Sequence, residues 1–371
     1  MEIDTNYTGW QAPSLEQFRP TAFRGETPER RDLIRGRLPR GKVVLLAGSG
    51  DVGKSWLLLQ LFEAINAGSH STCFGGEVVH PRLPSLVLMG EDDWESVDLR
   101  LKVIRSSQVS TIYHGAIVTA PNVPSPLHMV RRDYSGDIVA TEAYEWLDNT
   151  LEAMRAVEGK LGFVAIDTFS TFLPIDANKP EEVQAAMNHF TRLASKHDVC
   201  VVITHHMKKG AVTSDLRSGI RGSTAIVDSV RAAYVMNKLE SDEALLIKRE
   251  LGIDGDGDIV RLTIEKNNLG LWRNPVMFYR HADGTLQDIT TQMSQTTLSP
   301  EDALVAVIKE ANAADRKITK TGRNGVFANK CSNWPSSIAS LARSKIDTLL
   351  NDLIASGRLN SDSTHGLRAP E

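Results

Sequence analysis

The chain is predicted to fold as an α/β protein: a mostly parallel sheet with helices on both faces, an antiparallel extension, and a small C-terminal domain. Three observations predict it. Apolar, β-prone runs alternate with helix-compatible runs between residues 43 and 204. A glycine-rich loop joins the first such strand to the first helix, and a later strand ends on a carboxylate, Asp167. Strands separated by helices pair in parallel, and each connecting helix covers a face of the sheet.

Residues 1–35 are polar and carry Pro13, Pro20 and Pro28, so they read as an arm with at most short helices. Val43-Val44-Leu45-Leu46-Ala47 is the first buried strand, and Trp56 to Phe62 is helix-compatible. Between them lies Gly48-Ser49-Gly50-Asp51-Val52-Gly53-Lys54-Ser55, a GxxxxGKS loop in the strand–loop–helix setting that gives the pattern its meaning. Its glycines let backbone N–H groups wrap a phosphate, and the positive end of the helix adds to the attraction. The expected ligand is ATP with Mg²⁺, held by Gly48, Gly50, Asp51, Val52, Gly53, Lys54, Ser55 and Trp56. Lys54 is expected at the outer phosphates and the Ser55 hydroxyl on the metal.

Ser85 to Met89 is the next buried strand, and it runs into Gly90-Glu91-Asp92-Asp93. A carboxylate there suits a general base for the attacking water, against the plainer reading of a solvated acidic turn. Glu142 to Ala156 reads as a helix, and Leu161 to Ile166 as a buried strand ending on Asp167, a second expected Mg²⁺ ligand, through water. Glu181 to Lys196 is helical, with Val183, Met187, Phe190 and Leu193 on one face. Val199 to Thr204 is a third strand, closed by His205 and His206. One of these could sense the γ-phosphate; as a zinc pair they are poorly placed, because neighbours on a strand point to opposite faces.

The stretch 207–222 is rich in small residues and holds Lys208, Lys209, Arg217 and Arg221 against one acid, Asp215. It suits phosphate-backbone contact with single-stranded nucleic acid, or it is a solvated loop. Ala232–Met236, Ala244–Lys248 and Ile259–Lys266 read as short strands of the antiparallel extension, which ends near Arg280. The Thr/Gln/Ser-rich stretch 288–299 reads as a linker, giving a core of 36–287 and a C-terminal domain of 300–371. In that domain, helices at 301–312 and 341–356 precede Gly357-Arg358-Leu359, a pattern similar to the last helix and wing of winged-helix domains. Such a domain docks duplex DNA or protein.

The bulk numbers narrow the classes. A net charge of −4 leaves any nucleic-acid contact to local patches. Three separated cysteines, Cys73, Cys200 and Cys331, argue against a disulfide framework or structural zinc and suit a reducing cytoplasm. Glu2, Asp4, Glu16 and Arg19 leave no room for a secretion signal's apolar core. No apolar run approaches the roughly 20 residues of a membrane helix, so no membrane partner is expected.

The phosphate loop, Gly90-Glu91-Asp92, Asp167-Thr168, His205-His206, and Arg221-Gly222-Ser223 through Val227-Asp228-Ser229-Val230-Arg231 stand in one order. That order resembles the RepA-type hexameric replicative helicases of the RecA/DnaB superfamily, over residues 30 to 285. The resemblance implies a RecA-like ATPase core, Glu91 as catalytic base, and Arg231 as an arginine finger for a neighbouring subunit. Lys266 resembles a second trans-acting cation, although Asn268 stands where an arginine often accompanies it. It implies a homo-oligomeric ring, a hexamer, around single-stranded DNA in replication of a plasmid, phage or other mobile element. A replication initiator or duplex origin DNA would be the C-terminal domain's partner. The simplest RepA-type proteins lack that domain. Two rival readings keep the nucleotide site: a recombination or annealing ATPase on single-stranded DNA, and a nucleotide-switched DNA-binding regulator.

Overall fold

Lys42–Gly48 (β1) lies at the centre of a nine-stranded sheet. The other strands are Leu86–Met89 (β2), Ala116–Thr119 (β3), Phe163–Asp167 (β4), Cys200–His206 (β5), Ala232–Lys238 (β6), Asp258–Asn267 (β7), Val276–Arg280 (β8) and Leu286–Asp288 (β9). Their order across the sheet is β9-β8-β7-β6-β1-β5-β4-β2-β3. The six from β6 to β3 are parallel, and β7, β8 and β9 extend the sheet antiparallel beyond β6. This computed structural model describes residues 31–66, 72–80, 82–105, 115–123, 126–207, 225–296, 299–313, 316–322, 324–329, 336–339, 341–362 and 366–369.

Alternation along β1 shows how the strands use both faces. Val44 and Leu46 enter one apolar cluster, with Leu57, Leu58, Leu61 and Phe62 of the helix Lys54–Asn66. Val43, Leu45 and Ala47 enter the other, with Val183, Met187, Phe190 and Leu193 of the helix Pro180–His197. Inner parallel strands buried on both faces therefore read as continuous apolar runs. Helix Glu142–Glu158 starts at a Thr141 cap and stops at Gly159 (φ 78°). It lies on the Phe190 face through Leu147 and Leu151.

Four expectations need correction. Ala232–Met236 belongs to β6, but β6 is the parallel neighbour of β1 rather than the first antiparallel strand. Ala244–Lys248 lies in a helix, Ser241–Leu251. A short apolar run does not distinguish strand from helix by itself. Here Asp242 and Glu243 in the first turn, Lys248 and Arg249 in the last, and Gly252 in the left-handed region complete the helix. The 288–299 stretch, read as linker, contains a helix, Thr290–Thr296. Ile289 is fully buried, and the Met277 N–H donates to Thr290 Oγ1 at 2.9 Å, tying the segment to β8. The arm reading fails at its end: Asp32–Ile34 is a strand paired with Leu38–Pro39, and Leu33 and Ile34 are fully buried. Residues 1–30 lie outside the described residues.

Beyond residue 299 come helices Pro300–Ala313, Ser336–Ala339 and Arg343–Ala355, then a hairpin of Asn360–Asp362 with Gly366–Arg368. Leu304, Ile308, Ile346, Leu350, Leu353 and Leu367 form an apolar cluster of their own. Among the described residues no helix is long and apolar enough to cross a membrane.

Candidate functional site

The phosphate loop leaves β1 at Gly48 and enters its helix at Lys54. A side chain at Gly48 would bring Cβ within 2.8 Å of the Met236 carbonyl oxygen, so β6 leaves room only for glycine. Asp51 (φ 60°) and Gly53 (φ 102°) take the left-handed conformations that fold the loop into a cradle. Lys54 bends back over it, and Nζ donates to the carbonyl oxygens of Gly48 (3.0 Å) and Ser49 (2.8 Å).

The parallel order brings the carboxyl ends of β1, β2, β4 and β5 together, where open α/β sheets bind ligands. Ser55 Oγ donates to Asp167 Oδ2 at 2.6 Å, and Thr204 Oγ1 donates to Asp167 Oδ1. Thr168 Oγ1 donates to Glu91 Oε1 at 3.1 Å, and His206 Nε2 lies 3.5 Å from the same oxygen. The Asp167–Thr168 peptide is cis. Lys54, Ser55, Glu91, Asp167 and His206 share a cavity of about 300 Å³.

Burial pushes the Asp167 carboxyl above its ordinary range, against the hydrogen bonds from Ser55 and Thr204 and the charge of Lys54. Burial also pulls the Lys54 ammonium below its ordinary range, against the charges of Asp167 and Glu91. For each group burial outweighs the counter-charge beside it. A polyanion at Lys54 and a divalent cation at Asp167 reverse both effects, so the residues fit a Mg²⁺–polyphosphate. Among the described residues no group of three or more His, Cys, Asp or Glu could hold a metal ion. Mg²⁺ takes one or two protein oxygens and draws the rest from phosphates and water, so the oxygens of Ser55 and Asp167 would be enough to hold it.

The two histidines separate. His206 faces the cavity, with its side chain 30% exposed. His205 is buried on the other face, its ring edge-on to Phe169 at 5.3 Å. The alternation of a strand leaves His206, and not His205, at the cavity.

Sequence reasoning missed the side walls. Arg100 grips Asp92 with two hydrogen bonds (2.6 and 2.8 Å) and lies 5.8 Å from the centre of the Trp56 ring. Arg280, at the end of β8, donates to the Asp51 carbonyl oxygen and to Oδ1. Thr204 and Thr168 carried a weak signal, as hydroxyls at strand ends beside Asp167. Arg280 carried none, because its partner is 229 residues away.

The proposed trans cations lie elsewhere. Ala232 pairs with Val44 and Met236 with Gly48, so Arg231 sits five positions before the loop along the sheet, about 16 Å at roughly 3.3 Å per residue. It is exposed and lines a polar cleft of about 350 Å³ with Lys42, Gln184 and Asn188. Lys266 is at the same end, opposite Ala233, and Nζ donates to the carbonyl oxygens of Val227 (3.0 Å) and Asp228 (2.7 Å). Neither approaches the cavity of its own chain. Lys208, Lys209, Arg217 and Arg221 lie outside the described residues.

Comparison with known proteins agrees with this geometry. The family model of an AAA domain matches residues 12–212, more than half of the chain, including the phosphate loop, Glu91, Asp167 and both histidines. A search of curated proteins finds no match.

Proposed function

The chain belongs to the AAA-domain family of P-loop ATPases, and from that premise we propose that it is a ring-shaped, ATP-driven DNA helicase or translocase acting in replication of a mobile element. One observation carries the reading. Arg231 stands about 16 Å along the sheet from its own phosphate loop, and Lys266 about 10 Å along it and two strands across, too far to touch a nucleotide held there. Cations so placed serve an ATP site only if a neighbour's site docks against them. A head-to-tail interface of that kind closes into a ring when the rotation per subunit closes.

Within one subunit the roles follow from the contacts. Lys54 exchanges the Gly48 and Ser49 carbonyls for the outer phosphates of ATP. Ser55 turns from Asp167 toward the metal position, and Asp167, still held by Thr204, faces the same place. Bound Mg²⁺ would neutralise charge on the phosphate oxygens. Glu91, positioned by Thr168 and open to the cavity, accepts a proton from the attacking water. His206 touches Glu91 from β5, so a change at the γ-phosphate reaches the segment after Met207 through one side chain. In the proposed ring that segment carries Lys208, Lys209, Arg217 and Arg221 to single-stranded DNA in the pore. The residues after 299, read as a winged-helix domain, would hold an initiator or origin duplex.

The test is ATP hydrolysis with and without single-stranded DNA, run beside strand displacement on forked duplexes tailed at either end. Stimulation together with displacement on one fork polarity is the expected result. Stimulation without displacement on any fork would move the protein to the annealing or recombination class. No stimulation, with tight duplex binding, would make it a regulator.

A further inference from the structure

The phosphate loop is held from outside its own motif. Arg280 Nη1 donates to the Asp51 carbonyl oxygen at 2.6 Å, and Nη2 to Asp51 Oδ1 at 2.9 Å. The Arg280 side chain is 14% exposed, that of Asp51 78%, so a fixed cation grips an exposed anion. Both residues line the cavity that holds Lys54 and Ser55. Arg280 is itself well anchored. The turn after it packs on the phosphate-loop helix, where a side chain at Gly284 would meet the Trp56 ring at 2.4 Å. Gln60 of that helix exchanges two hydrogen bonds of 2.9 Å with the Leu286 backbone. Gly53 holds φ 102°, a conformation that favours glycine, and the same wall closes over it, with Leu286 3.4 Å and Arg280 3.7 Å from where a Cβ would stand.

The contact raises a chemical question. A loop that must accept a polyphosphate carries a carboxylate at its middle, and like charges at that range oppose binding. Lys238 offers limited help: Nζ is 4.0 Å from Asp51 Oδ2 and is engaged at 2.8 Å by Asp258. The two-point grip from Arg280 cancels the charge and also fixes the Asp51 carbonyl. Fixing that carbonyl sets the peptide plane that follows, so the next N–H groups of the cradle are aimed before any phosphate arrives.

We propose that Arg280 is a positioning residue for nucleotide binding: it neutralises Asp51 and pins the middle of the phosphate loop, so that a nucleoside di- or triphosphate meets a preformed cradle. The inference rests on the ATP-site reading. It also reaches beyond the AAA match, since residue 280 lies outside 12–212. The antiparallel extension thereby becomes part of the nucleotide site and not only a widening of the sheet.

The test uses the full chain and a fluorescent ATP or ADP analogue with Mg²⁺. Arg280→Ala should weaken both by roughly tenfold, the scale of one lost charge-assisted pair, with the loss in KM and not in kcat. Arg280→Lys, which keeps the charge but not the two-point grip, should fall between; it also stands in if the alanine variant fails to fold. The deciding variant is Arg280→Ala with Asp51→Asn. Removing the carboxylate should restore most of the lost affinity. Binding as weak as in the single variant would show that Arg280 does not act by offsetting the Asp51 charge and would overturn the proposal. Wild-type affinity in Arg280→Ala would overturn it too. A wild-type chain that binds neither nucleotide would instead defeat the ATP-site reading.

Discussion

Mixing two inactive variants tests the placement of Arg231 at an interface. The sheet register puts Arg231 five positions before Gly48 on the neighbouring strand, about 16 Å from the loop, so a catalytic role requires another subunit's nucleotide. Glu91→Gln should reduce turnover by about 10²-fold or more, with ATP binding kept. Arg231→Ala should cost about 10³-fold or more if it is the finger. When the two are co-assembled, a site works only if its loop comes from an Arg231→Ala subunit and its finger from a Glu91→Gln subunit. With random assembly and independent sites, the recovered rate follows the product of the two fractions, so it peaks at equal mixing near about one quarter of wild type in a head-to-tail ring. Steady-state ATPase across a series of mixing ratios reads that curve directly. No recovery at any ratio in demonstrated co-assemblies would refute the trans role. An Arg231→Ala chain that hydrolyses ATP at the wild-type rate would refute the finger altogether.

Two further outcomes concern the core. Burial pushes the Cys73 thiol up to about 12 and the Cys200 thiol higher still, so neither should label with a thiol reagent in the folded protein at pH 7–9, and both should label in denaturant; labelling in the native state would refute their burial. The sign for stability follows: an unfolded thiol ionises near about 8.5, so what Cys73 contributes is complete below that value and is lost as pH rises toward its folded value. Phe190, fully buried on the helix Pro180–His197, should cost about 3–5 kcal/mol when changed to alanine, measured by denaturant unfolding; a loss under about 1 kcal/mol would mean the helix is not seated on the sheet as described.

What was legible in the sequence was what is local. The GxxxxGKS loop carries its own context, and Glu91 and Asp167 each end a run whose apolar continuity marks an inner strand. Their meeting follows from the parallel order alone. The side walls depend on pairings that local patterns do not encode. Arg280 reaches Asp51 only because β7, β8 and β9 fold back beside β6. Edge elements were invisible for a related reason. β3 is only partly buried, and the hairpin of Val130–Arg132 with Ile138–Ala140 is two three-residue strands, so neither shows a strong period. The helix at 241–251 is easily taken for a strand because the four apolar residues Ala244–Ile247 fit either element, although the charges at its ends and Gly252 are the more specific signal.

β6 joins the two ends of the sheet that the proposed ring would use. At its carboxyl end, the Met236 carbonyl lies where Gly48 can bear no side chain. At its amino end, Arg231 leads into the strand, and its carbonyl accepts from Asn268 N–H at 3.0 Å. Between them Ala232 to Met236 are all buried and hydrogen-bonded on both sides, to β1 and to β7. A strand so enclosed moves as a unit or not at all, because close-packed interiors transmit displacement and do not absorb it. If the neighbour's ATP sits against Arg231, the same rigid strand touches that ATP at one end and its own phosphate loop at the other. Coupling between successive sites then needs no mobile relay within the core. It needs only that the interface and the loop each have two arrangements, which the rescue series and the Arg280 variants probe from opposite ends of β6.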